Sequence, residues 1–328
     1  MGSRADSAKG KAKAEAPAQE YFQIPSNFYQ ADELIDRDIF LYYQGQYLLF
    51  RPRNLIWKTE DSERLGHFGV RVLYVQAGSR DEFYLFLESN LSRILDQPKI
   101  SKAEKTQILY ETSQSVVSQI FNRPYSPEGL KRSVSLIKNS IDYLKNQENF
   151  QDLMKMASTD FSEYTHAIQT AAYSICLARQ SGFSSFNDLS AIGIGSLLHD
   201  IGKSKIDRKI LEKREPLAAD ELHELRRHPE FGYEILRKTR AIPEQAEMIV
   251  LQHHERPGGK GYPYSLGQEI SQFSSIVSLA DCFDSLTSDR PWQKRVSPFK
   301  AVQMIRSSLV QEYDQKLVTQ FIRTLGIK

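Results

Sequence analysis

The chain has seven histidines, unevenly placed. His67 stands alone, and His166, His199, His223, His228, His253 and His254 follow later in the chain. Two aspartates share their surroundings: Asp200, beside His199 in "LLHDIGK", and Asp281, in "SIVSLADCFDSLTSDR". A buried His-Asp pair costs several kcal/mol unless a hydrogen-bond partner or a cation compensates. Singly, each histidine has an ordinary reading as a residue satisfied inside a helical core. Together they offer imidazole and carboxylate without thiolate. That donor set favours iron, manganese, zinc or nickel and disfavours calcium and structural Cys-type zinc. Neighbouring helical residues point about 100° apart, so adjacent His-Asp and His-His pairs suit two nearby ions better than one tetrahedral zinc. Ions about 3.5–4 Å apart can bridge a water or hydroxide, lower its pKa and clamp a phosphodiester for in-line attack.

Such residues must be brought together by the elements that carry them. His166 lies in "DFSEYTHAIQTAAYSICLARQ", which has helical apolar periodicity. His199 and Asp200 end "LSAIGIGSLLHD", His228 follows "DELHELRR", and His253 and His254 end "IPEQAEMIVLQHHE". Most stand at the polar end of an apolar helix, and such ends converge when helices pack around one cavity. From Gln151 onward the pattern is helical, with turns at Ser181–Ser185, Gly202–Ser204 and Pro257–Pro263, so this domain is expected to be all-α.

Before it, residues 98–150 read as a helical connector. Ser101–Phe121 runs without Gly or Pro, and Ser126 is placed to cap a second helix with Pro127 at its first position. Leu130, Val134, Ile137, Ile141 and Leu144 form a seam two heptads long, which means core packing or, alternatively, a homodimer interface. Residues 21–97 read as a small α+β unit. It has a hairpin from Asp38–Gln44 and Tyr47–Arg51 about Gly45, a strand at Arg71–Ala77 and an amphipathic helix at Asp81–Leu95. His67 has no ligating neighbours there and reads as structural. Residues 1–20 are small, polar and charged in alternation, and read as a disordered tail.

Composition sets outer bounds. A chain of 328 residues with 40% hydrophobic and 26% charged residues is ordinary for a two-domain globular protein. A net charge of +2 gives no argument for a nucleic acid polymer or a membrane surface. The two cysteines, Cys176 and Cys282, exclude a disulfide scaffold and suit a cytoplasmic protein. No segment has the length and apolarity of a membrane span.

In order and spacing, "LLHDIGK", "RRHPEFGYEIL", "LQHHERPGGKGYP" and "SIVSLADCFDSLTSDRPW" resemble the HD-GYP family, over about residues 155–310. These are helical, metal-dependent phosphodiesterases acting on cyclic di-GMP. The resemblance implies metal ligation by His166, His199, Asp200, His228, His253, His254 and Asp281, with Asp200 bridging two divalent ions, iron or manganese, and no organic cofactor. It implies that Asp200 and Lys203 are catalytic, Lys203 contacting the scissile phosphate. The alternative for Lys203 is a solvated lysine at a helix end. Arg290 and Lys294 would hold the second phosphate or a guanine, and Gly261-Tyr262-Pro263 would form a loop at the cavity mouth, with Gly258 and Gly259 allowing close backbone approach. His223 matches no ligand position and reads as a surface residue.

Four positions depart from the family pattern. Ser162 stands where a trinuclear subset carries glutamate, so two metals are expected rather than three. Pro257-Gly258 replace an acidic residue, Lys213-Arg214-Glu215 replace Lys-Pro-Gly, and Trp292 stands where tyrosine is commoner. The readings weighed are therefore a phosphodiesterase giving pGpG or GMP, a metal-loaded cyclic di-GMP sensor with little turnover, and a hydrolase of another nucleotide. The GYP block counts against the last. Residues 21–97 carry no recognisable chemistry and are assigned to regulation, dimerisation or docking of a signalling partner.

Overall fold

The computed structural model describes residues 20–78, 80–158, 162–289 and 294–326. The tail through residue 19, and Arg290 and Trp292, lie outside the described residues. By packing, the chain divides between Phe86 and Leu87.

The first unit is built on a four-stranded antiparallel sheet of order β1-β4-β2-β3, from β1 (Glu20–Pro25), β2 (Ile39–Tyr43), β3 (Gln46–Arg51) and β4 (Val72–Ala77). The hairpin turns at Gln44-Gly45, both with positive φ, as a two-residue loop between β2 and β3 demands. Helix α1 (Thr59–His67) precedes β4, and α2 (Arg80–Ser89) follows it. Alternation along the strands buries Ile24, Ile39, Leu73 and Val75 on one face. The other face carries Tyr21, Phe40, Tyr42, Tyr47 and Tyr74 in mutual ring contact. His67 is exposed at the end of α1. The helix expected over Asp81–Leu95 is two: α2 ends at Ser89, and α3 (Leu91–Asp96) restarts after Asn90.

The second unit is helical throughout. Its helices are α3, α4 (Lys102–Asn122), α5 (Pro127–Leu144), α6 (Gln147–Ala157), α7 (Glu163–Gln180), α8 (Phe186–Leu198), α9 (Arg208–Leu211), α10 (Ala219–Leu225), α11 (His228–Thr239), α12 (Glu244–Gln252), α13 (Gln272–Thr287), α14 (Pro298–Ser307) and α15 (Gln315–Leu325). Ser101 caps α4 in a reciprocal box with Glu104. Ser126 caps α5 ahead of Pro127, as its sequence requires. Between α8 and α9, where the sequence marks a turn at Gly202–Ser204, the chain forms a 3₁₀ turn, Ile201–Lys205.

The stretch 98–150 is not a separate connector. Its helices α4 and α5, with α6 after them, share one hydrophobic core with α7, α8, α12 and α13. Of the heptad seam, Leu130, Ile137, Ile141 and Leu144 are buried in that core and Val134 packs on its margin. The seam faces its own chain, which leaves no apolar stripe there for a second copy. Ile141→Ala is accordingly expected to cost about 2–5 kcal/mol. In denaturant unfolding this lowers the midpoint with no change of oligomeric mass by light scattering. A change of mass at unchanged stability would point to an interface instead.

Candidate metal centre

The seven sequence-derived ligands come together in one buried cluster, supplied by α7, the α8–3₁₀ junction, α11, the end of α12 and α13. His166 stands one turn into α7, whose N-cap is Ser162: its Oγ accepts from the Thr165 amide at 3.0 Å. The neighbouring Glu163 is exposed. His199 caps the C-terminus of α8, Asp200 opens the 3₁₀ turn, His228 begins α11, and His253 caps α12. His166, His199, Asp200, His228, His253 and Asp281 are all 6% exposed or less.

Asp200 divides the cluster. Its Oδ1 lies 3.3 Å from His228 Nε2 and 4.0 Å from His253 Nε2, and its Oδ2 lies 3.3 Å from His199 Nε2 and 3.8 Å from His166 Nε2. Asp281 Oδ1 is 3.2 Å from His166 Nε2, and its Oδ2 is 3.9 Å from His254 Nδ1. Two groups of converging donor atoms result: Asp200, His228, His253 and His254, and His166, His199 and Asp281.

The outer nitrogens fix the tautomers. The Nδ1 atoms of His199, His228 and His253 lie 2.6, 2.8 and 2.8 Å from the carbonyl oxygens of Ser196, Leu225 and Val250. A carbonyl only accepts, so each Nδ1 carries a proton and each Nε2 is the nitrogen turned inward. Burial pushes His228 down to about 4 and holds His253 and His254 well below the usual histidine range. These rings are therefore neutral at neutral pH. His166 differs. Burial would depress it, but its hydrogen bonds to Asp281 and Asp284 prevail and raise it to about 9. Burial also works against the charges of Asp200 and Asp281, yet the surrounding imidazoles, with Lys203 for Asp200, hold both well below the usual carboxylate range.

This arrangement fits cations. His228 Nε2 and His253 Nε2 face each other at 3.2 Å, although both Nδ1 protons are committed to carbonyls, so two lone pairs oppose. His199 Nε2 is buried with no hydrogen-bond partner. A divalent ion beside each group satisfies both features, and the nitrogen and oxygen donors suit iron, manganese or zinc.

Sequence reasoning missed three residues. Asp284, one turn after Asp281, is fully buried, and its Oδ2 lies 2.6 Å from His166 Nδ1. The i, i+3 spacing of the two aspartates was the available signal. Asp284→Asn is expected to weaken metal binding at the His166 group about 10–100-fold while leaving the Asp200–His228–His253 group loaded, read as a split of two affinities in a metal titration. Glu255, completing "HHE", is also fully buried; its oxygens accept from the amides of Tyr264 at 2.7 Å and Leu266 at 3.0 Å. Arg256 bonds the carbonyls of His253 and Glu255 and the Ser278 hydroxyl, tying this turn to α13.

Gly261-Tyr262-Pro263 lies against the cluster. The Tyr262 amide donates to the His254 carbonyl at 3.2 Å, and its ring stacks on His254 at 4.5 Å. The close approach expected at Gly258 and Gly259 falls at Gly261, where a Cβ would lie 2.4 Å from Glu255 Cα and from the Arg256 amide nitrogen. Gly259 is needed for its φ of +71°. Lys203 Nζ pairs with Asp200 Oδ2 at 2.6 Å, so it is neither a solvated lysine nor free. Lys294 is 95% exposed, 3.9 Å from Asp289, and makes no contact with the cluster among the described residues. Arg290 lies outside the described residues. His223 is exposed on α10.

A helical unit that converges five histidines and two aspartates in two groups of donor atoms has the ligand set of a metal centre. The chain belongs to the HD domain family, whose model matches residues 148–317, and its motif order is that of the HD-GYP members. It is similar to the cyclic di-GMP phosphodiesterase PA4108 of Pseudomonas aeruginosa, 32% identical over 189 residues, 57% of this chain and 45% of that protein. A cyclic di-GMP phosphodiesterase of Thermotoga maritima is 27% identical over 257 residues, 76% of this chain and 66% of that one. The chain thus spans under half of the first relative and just under two thirds of the second. Among solved structures, Bd1817, an HDG"Y"P protein from Bdellovibrio bacteriovorus, shares the fold with a TM-score of 0.65 at 18% identity, over 94% of this chain and 100% of that one.

Proposed function

We propose that the chain is a metal-dependent phosphodiesterase that opens one phosphodiester bond of cyclic di-GMP to give linear pGpG. The observation that carries this reading is Asp200, whose two oxygens face different histidine groups, the arrangement two adjacent cations require. The names of the relatives support the substrate. Divalent ions, iron or manganese, would neutralise phosphate charge and acidify a water when bound.

The chain's own residues do the rest. The carbonyl-anchored rings of His199, His228 and His253 hold their nitrogens without reorganisation. Lys203, beside Asp200 and 16% exposed, is placed to hand its charge to a phosphate oxygen. The Tyr262 ring closes one wall over His254 and keeps bulk water off that side. Of the two roles the resemblance offers Arg290 and Lys294, the second phosphate or a guanine, we assign them the guanine. Residues 21–97 are assigned to partner docking, supported by solvent-facing Tyr42, Tyr43, Leu48 and Leu49. The reading places the protein in the cytoplasm; no described helix is long and apolar enough to cross a membrane.

The deciding experiment reconstitutes the chain anaerobically with Fe(II) or Mn(II), counts metal per chain by plasma mass spectrometry and follows cyclic di-GMP by chromatography. About two metals with pGpG appearing is the expected result. Two metals, bound cyclic di-GMP and no product would instead make this a sensor, with the Pro257-Gly258 loop the place to look.

A further inference from the structure

We infer that Arg226 is a substrate-binding residue that takes the phosphate the enzyme does not cut; this rests on the cyclic dinucleotide reading above. Two arginines end the α10 segment, and their surroundings separate them. Arg227 is committed: its Nη1 lies 3.1 Å from Glu224, and its guanidinium covers the Phe231 ring at 4.5 Å. Arg226 pairs with no carboxylate among the described residues. Its guanidinium lies over the Tyr262 ring, 5.4 Å from the centroid, and that ring is itself stacked on His254. A continuous stack therefore runs from the cluster outward, His254 to Tyr262 to Arg226, and ends in an exposed cation at the site's mouth.

Stacking covers one face of the guanidinium and restricts its rotamers while leaving the N–H edge open, which is the part that grips a phosphate. Of the other described cations beside the cluster, Arg256 is tied to the carbonyls of His253 and Glu255, and Lys203 is engaged with Asp200 and belongs to the phosphate being cut. A cyclic dinucleotide carries a second phosphate, and Arg226 supplies a preorganised charge for it at the rim.

The test uses the metal-reconstituted full chain and its Arg226→Ala and Arg226→Lys variants. KM and kcat are measured on cyclic di-GMP and on bis(p-nitrophenyl) phosphate, which has a single phosphate, with metal counted in each sample. Arg226→Ala is expected to keep the wild-type metal count, raise KM for cyclic di-GMP about tenfold or more, and lose about tenfold more kcat/KM on cyclic di-GMP than on the single-phosphate ester. Arg226→Lys keeps a point charge but loses the stacked fork, and should recover only part of that loss. Equal losses on both substrates, or no change in KM, would overturn the assignment. A wild-type chain that turns over the ester but neither binds nor cleaves cyclic di-GMP would overturn the parent reading, and this one with it.

Discussion

Asp200→Ala is expected to abolish loading of both histidine groups and to lower phosphodiester turnover by about 10³-fold or more. The size follows from position. Asp200 is the more closely placed of the two carboxylates that reach both groups: its oxygens lie 3.3 Å from His199 and 3.3 Å from His228, whereas Asp281 reaches His166 at 3.2 Å but His254 only at 3.9 Å, so losing Asp200 removes a ligand from each side. Unfolding is not the expected cause. In the metal-free protein Asp200 is paired with Lys203 and held ionised by its neighbours, so its removal costs stability, up to about 3–5 kcal/mol. The metal-free variant should therefore melt below the metal-free wild type while still folding cooperatively. Metal per chain by plasma mass spectrometry, read beside the melting curve, decides the matter. Full metal content in a folded Asp200→Ala protein would end the bridging account. His199→Ala should also lose metal, but only from the group that His199 serves.

The second large effect is expected from Gly202→Ala, a change of one methyl group. A Cβ at Gly202 would lie 1.9 Å from the carbonyl oxygen of His228 and 2.5 Å from the amide nitrogen of Gly232. Both are main-chain atoms of α11, so no side chain can rotate away. An ordinary contact begins near 3.4 Å, so α11 would have to retreat by more than 1 Å, carrying His228 away from Asp200. Overpacking against backbone costs about 3 kcal/mol or more, a fall in Tm of about 6–12 °C for a unit of this size. Gly129→Ala is the matched control. Its Cβ meets only ordinary contacts at 3.6 Å near the start of α5, and it should be neutral or slightly stabilising. If Gly202→Ala melted like the control and kept its metal, the close packing of the 3₁₀ turn on α11 would be wrong.

The two large effects share a cause. The fold places the 3₁₀ turn and the first turn of α11 in backbone contact so that Asp200 and His228 meet, and Gly202 is the residue that permits it. The motif's His-Asp pair and its glycine thus answer one requirement, a ligand junction too tight for any side chain.

Much of this was legible in local chemistry. Ser126-Pro127 announce the start of α5, Gln44-Gly45 the hairpin, and the apolar runs ending in His199 and His253 announce helices with ligands at their C-termini. Such signals survive because capping, turn geometry and helical periodicity act over a few residues. The ligand types were likewise set by sequence, because imidazole and carboxylate without thiolate already restrict the metals. Strand β1 was not legible, since its partner β4 lies some fifty residues away and its exposed positions break the alternation. Helix α1 is too polar to announce itself, with Leu65 its one buried apolar residue.

What only the tertiary structure decided is relational. Sequence could name Asp200 but not which oxygen faces which histidines, and it could see Asp284 but not that His166 leans on it. It could find the heptad seam in α5 but not that the seam's partners are α4, α7 and α8 of the same chain. It could list two arginines before His228 but not that one is paired and the other stacked on Tyr262. The physical reason is the same throughout. Residue type and spacing determine what each side chain can do and on which face of its own helix it lies. Ion-pair geometry, tautomer and close approach depend on distances between elements, which packing sets.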